Sequence, residues 1–175
     1  MTNEDKKATR ARKKAEFLAG KEKLIDSWRT QSEQYFGYLV RDFGFHLVSV
    51  TYEWYVTRTI YRSASVAVYV DRSVEFERVE ISILRLIDGA IPPTPLPEPM
   101  RAFIFETIFD NILIVRAPME AAASQAFKEL SDEQIAQALA FWARALRTHG
   151  ADILQGDFAI FADVQEMIEQ RRHQS

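Results

Sequence analysis

The chain opens with a helical period. From Lys21 to Asp42 the stripe Ile25, Trp28, Ser32, Tyr35, Phe36, Leu39 and Val40 recurs at steps of three and four. That spacing predicts a helix with one face on a core. Gly44 stands where a left-handed C-terminal cap belongs. The period then shortens. Leu47 to Trp54 mixes polar and apolar residues, and Tyr55 to Ser63 carries the β-branched Val56, Thr57, Thr59 and Ile60, which predicts two extended segments. Ser65 to Asp71 alternates cleanly, with Val66, Val68 and Val70 to one side and Ala67 and Tyr69 to the other. Asp71, Arg72 and Ser73 resemble a hairpin turn, and Val74 to Ile87 reads as the return strand. Its apolar parity switches between Val74/Phe76 and Val79/Ile81/Ile83, so a bulge or break is expected near Glu77–Arg78.

The pattern stops at 88–99. Pro92, Pro93, Pro95, Pro97 and Pro99 are five of the six prolines in the chain, and such density forbids helix and ladder hydrogen bonds. A stiff crossover from sheet to helices follows, in preference to a PxxP ligand. Met100 to Arg116 fits two periods: Phe103 and Phe105 alternate like a strand, whereas Ile104, Ile108, Ile112 and Val115 suit a helix. Ser131 with Gln134 makes a capping box. It precedes a helix with Ile135, Leu139, Trp142 and Leu146 on one face, stopped by Gly150. A last helix is expected from about Ile160 to Arg171, with Asp157 as its cap. The sum is an α+β domain. An antiparallel sheet of three to five strands carries an N-terminal helix and two C-terminal helices on one face. Residues 21–172 form that single domain, with the Pro-rich crossover at 88–99.

Composition narrows the chemistry. The chain has 175 residues, 47% apolar and 27% charged, which suits one globular domain. It has no cysteine, which excludes disulfides, thiolate nucleophiles and cysteine zinc sites and favours the cytoplasm. The N-terminus lacks the apolar core of a signal peptide, and no run approaches the roughly 18 uncharged apolar residues of a membrane span. The net charge is −3, but residues 1–23 hold eight Lys/Arg against four acids. Residues 1–20 are therefore expected to be a basic arm or an extension of the first helix.

Candidate catalytic groups do not converge. His46, His149 and His173 lie far apart without partners at metal-ligand spacing. Glu53, Glu75, Glu77 and Glu80 sit on predicted strands, where alternation on a polar sheet face explains them. Ser63, Ser65 and Ser73 have no histidine partner, and no phosphate-binding, dinucleotide or nucleophile-elbow motif occurs. No cofactor and no metal are implied. The site-like feature is Arg58, Arg62, Arg72, Arg78 and Arg85 interleaved with Tyr52, Trp54, Tyr55, Tyr61 and Tyr69. Arginine and aromatics dominate protein-binding hot spots and also stack bases and pair phosphates. The acids on the same strands would repel phosphate.

Three segments, YFGYLVRDFGF (35–45), YRSASVAVYVDRSVEFERVEISI (61–83) and ADILQGDFAIF (151–161), resemble a pattern in small uncharacterised bacterial α+β proteins, some of the toxin-immunity type. In that pattern a helix ends in Gly-Phe, an antiparallel sheet follows, and Gly-Asp-Phe joins two last helices. The resemblance implies a structural scaffold and no catalytic residue. The proline spacer and the basic arm depart from it. The expected function is thus a non-enzymatic protein-binding module, of the immunity or defence-accessory kind that occludes a partner surface. The partner is another protein chain, one encoded alongside, and no membrane. Its contact residues are expected on the outward sheet face: Trp54, Arg58, Tyr61, Arg62 and Tyr69. The alternative is a nucleic-acid-binding accessory protein using the basic arm and the sheet arginines.

Overall fold

In the computed structural model the described residues are 3–73, 78–93, 95, 104–127 and 132–174. The first helix, α1 (Asn3–Phe36), is longer than the apolar stripe predicts at its start and shorter at its end. It breaks at Gly37, where a Cβ would sit 2.5 Å from the Glu33 carbonyl oxygen. A short α2 (Tyr38–Phe43) carries on and stops at Gly44, whose φ of 70° is the expected left-handed cap.

Among the described residues the sheet has five antiparallel strands in chain order: β1 (His46–Glu53), β2 (Val56–Arg62), β3 (Val66–Ser73), β4 (Arg78–Arg85) and β5 (Glu106–Ile108). Asp71, Arg72 and Ser73 belong to β3 and pair with Glu80, Val79 and Arg78, so they are not the turn. Cross-strand pairing continues to Ser73, opposite Arg78. The anticipated break at Glu77–Arg78 lies outside the described residues. A register shift does occur elsewhere, between Leu47 and Ser49 on β1.

The ambiguous stretch resolves in sequence. β5 covers Glu106–Ile108, and α3 (Phe109–Arg116) begins at the next residue. Helix α4 (Pro118–Ser124), a 3₁₀ turn, α5 (Asp132–His149), α6 (Ala151–Leu154) and α7 (Ile160–Gln174) complete the helical layer, more segments than the two expected. Ser131 of the capping box and much of the proline crossover lie outside the described residues. Asp157 does cap the approach to α7, accepting the Ala159 N–H at 3.0 Å.

One apolar core fills the space between the helices and one sheet face. Trp28, Phe36 and Leu39 of α1–α2 meet Tyr61, Val66, Val68, Val70, Ile81 and Ile83 of the sheet, with Phe109, Leu139, Trp142 and Leu146 alongside. Some polar groups that enter this layer are paired: Trp28 Nε1 donates to the Val70 carbonyl at 3.4 Å, and Thr59 Oγ1 to Ser32 Oγ at 2.9 Å, whereas the Tyr61 hydroxyl and Trp142 Nε1 find no partner among the described residues. The opposite sheet face holds a small second cluster, Ala67, Tyr69, Leu84 and Leu86, with Ile60 against it.

Candidate functional site

β1 and β2 are joined by two residues only, Trp54 and Tyr55, because Glu53 pairs with Val56. Both have positive φ, 50° and 61°. A two-residue hairpin turn of this kind needs φ > 0 at both central positions and is normally Asn-Gly or Asp-Gly. A bulky side chain there is a backbone outlier. The strain secures no packing, since Trp54 is 91% exposed and Tyr55 62%. Trp54 is the most exposed large apolar residue among those described.

Behind this tip, the outer face of β2 and β3 is a closed electrostatic unit. Arg58 grips Asp71 with two nitrogens, Nε to Oδ1 at 2.8 Å and Nη2 to Oδ2 at 2.6 Å. Its guanidinium also stacks 4.6 Å from the centre of the Tyr69 ring. Asp71 lies opposite Glu80 on β4, and Arg78 reaches Glu80 at 3.2 Å. Burial, opposed by Arg78 and reinforced by Asp71 and Asp110, holds the Glu80 carboxyl above its usual range. Alternating charge neutralises this strip, which is the arrangement of a stabilised sheet face.

The five sequence-selected residues do not form one surface. Trp54 is exposed, while Arg58 and Arg62 line the outer face and are partly covered. Tyr69 shares that face but is 7% exposed. Tyr61 points the other way, into the main core, fully buried; its placement on the outward face is corrected. The register pairs Tyr61 with Val68, so odd positions of β2 share a face with even positions of β3. Burial, and then the Glu33 carboxylate, push the Tyr61 phenol far up. Tyr55, absent from the expected set, joins Trp54.

Other candidate chemistry is dispersed. His46 starts β1 exposed, His149 lies 3.4 Å from Glu120, and His173 is exposed at the end of α7. Glu75 and Glu77 lie outside the described residues. Among the described residues no group of three or more His, Asp or Glu could hold a metal ion, and no helix is long and apolar enough to cross a membrane. A 60 Å³ cavity brings Glu80, Asp110 and Ser124 near Trp142. There Ser124 Oγ lies 2.7 Å from both Asp110 Oδ1 and the Ala121 carbonyl oxygen. An open cleft of 420 Å³ lies beside Arg85, Phe158, Phe161 and Glu169, with the Arg85 guanidinium 5.1 Å from the Phe158 ring centre. No protein-family model, curated protein or solved structure matches the chain. Function therefore rests on this geometry, and its strongest feature is the Trp54–Tyr55 turn.

Proposed function

We propose that the chain is a non-enzymatic protein-binding module of the cytoplasm, an immunity or accessory protein whose contact is the tip of the β1–β2 hairpin. One observation carries this reading. Two large aromatic residues occupy an exposed turn whose backbone disfavours them by about 1–2 kcal/mol each. Strain of this kind concentrates at functional positions, and rigid aromatics give contact area at low entropy cost. The co-encoded partner is another protein chain. Nucleic acid is the weaker alternative, because Arg58 is engaged by Asp71 and Arg78 by Glu80, which leaves them poorly placed to neutralise phosphate.

The test is site-specific photocrosslinking. A benzophenone amino acid replacing Tyr55, in the cell that makes the chain, should yield a covalent adduct with a polypeptide. The same group replacing Met119, which is 87% exposed on α4, should not yield that adduct. An adduct to nucleic acid alone, or none at Tyr55, would overturn the reading.

A further inference from the structure

β5 pairs with β4 only along Ser82–Leu84. Beyond that pairing, the cavity of 60 Å³ opens between β4 and the helices, lined by Glu80 of β4, Asp110 of α3, Ser124 of α4 and Trp142 of α5. Trp142 is 5% exposed, and its Nε1 is buried with no hydrogen-bond partner among the described residues. A buried indole N–H normally finds an acceptor, and a bare one carries its full desolvation cost. The rings packed edge-on against this indole, Phe109 and Phe141, have no lone pair to offer. The carboxylates of Glu80 and Asp110 line the same cavity, yet neither is within hydrogen-bond reach of the indole.

We propose that this cavity is an internal hydration site, in which ordered water accepts the Trp142 N–H and donates to the Glu80 and Asp110 carboxylates, joining α5 to β4 and α3. The lining selects its guest by hydrogen-bond count. One fixed donor faces two acidic acceptors, so the guest must accept one bond and donate two, which water does. The indole N–H disfavours a cation, and the carboxylates disfavour an anion. A water needs about 10–15 Å³ of space and two to four polar partners, so 60 Å³ has room for a few. Ser124 completes the wall. Its Oγ lies 2.7 Å from both Asp110 Oδ1 and the Ala121 carbonyl oxygen. A hydroxyl has one proton to give and keeps lone pairs with which to accept.

Glu80 makes the site responsive to protons. Burial holds its carboxyl above the ordinary 4.5; Asp71 of β3 and Asp110 of α3 add to this, while Arg78 of β4 and Arg58 of β2 oppose it. As pH falls through that raised value, Glu80 gains a proton and becomes a donor. The water must then turn, and the indole N–H that it accepts senses the change. The site lies towards the opposite edge of the sheet from the β1–β2 hairpin, and the inference does not depend on the hairpin-tip reading.

The test is NMR of the full chain with its tryptophans labelled with nitrogen-15. The chain has three tryptophans, and Trp142→Phe assigns the signal of interest. In the wild type, the Trp142 indole proton should show direct cross-relaxation to water, distinguished from chemical exchange by its sign in the rotating frame. Trp28, whose Nε1 donates to the Val70 carbonyl, should show none. The Trp142 N–H shift should move as pH falls, with a midpoint above 4.5. Glu80→Gln should abolish that movement and keep the water peak, because the amide oxygen still accepts. Glu80→Leu removes the acceptor and occupies space, and should weaken the peak several-fold. Absence of the peak in the wild type would overturn the inference. So would a peak indifferent to Glu80→Leu, or a pH response that survives Glu80→Gln. Loss of the peak on adding ammonium or magnesium ions would make the guest a cation and equally overturn it. If Glu80→Leu fails to fold, the wild type and Glu80→Gln decide the matter.

Discussion

Replacing Trp54–Tyr55 by Asn-Gly should stabilise the protein while removing its binding surface. Left-handed backbone costs an L-residue about 1–2 kcal/mol, and Gly is free of that penalty while Asn tolerates it. The φ values of 50° and 61° put both residues there. Little contact is lost in exchange, because Trp54 is 91% and Tyr55 62% exposed. The larger conformational freedom of Gly in the unfolded chain takes back about 0.5–1 kcal/mol. The net gain for the pair is about 1–2 kcal/mol. For a chain of this size each kcal/mol moves Tm by about 2–4 °C, so the double variant should melt roughly 2–8 °C higher. Urea unfolding should show the midpoint rising with an unchanged slope. A Tm that stays level or falls would mean that the aromatics support the hairpin, and the argument from strain would fail.

Four further outcomes are expected. Trp142 is 5% exposed and meets Phe109 and Phe141 edge-on. Trp142→Ala should cost about 3–5 kcal/mol by urea titration. Its indole nitrogen has no hydrogen-bond partner among the described residues, so Trp142→Phe should cost only about 1–2 kcal/mol. Asp152 is held below its ordinary pKa of 3.8 chiefly by hydrogen bonds from Arg116. Its stabilising contribution is complete above 3.8 and is lost as pH falls through the lower folded value. Asp152→Asn should flatten the acid limb of the stability curve below 3.8. At neutral pH it should cost at most about 1 kcal/mol, because the pair is part-exposed. Deleting residues 1–20 should lower Tm by no more than a few degrees, since among the described side chains the α1 residues packed on the core begin at Ile25 and Trp28; a larger drop would mean the basic segment is docked.

The layer architecture was legible because each period was unambiguous where it mattered. The alternation of Val66, Val68 and Val70 marks the core face, and the stripe through Leu139, Trp142 and Leu146 marks the helix that covers it. Residues 104–116 carried both a strand and a helix signal because the chain contains both, one after the other. The site was less legible, for two physical reasons. Trp54 and Tyr55 have high β-propensity, so nothing in their identity announces a turn. Facing across strands depends on register, which turn length sets; the pairing of Tyr61 with Val68 sends Tyr61 inward while Tyr69 stays outside.

Oxidative footprinting of the chain in its own cell tests the central claim most directly. Brief hydroxyl-radical exposure of dilute purified protein should label Trp54, Tyr55 and Met119 strongly, since all three are exposed. In the cell, the account predicts several-fold protection of Trp54 and Tyr55 with Met119 unchanged. Equal labelling of Trp54 relative to Met119 in both settings would contradict a protein contact at the hairpin tip.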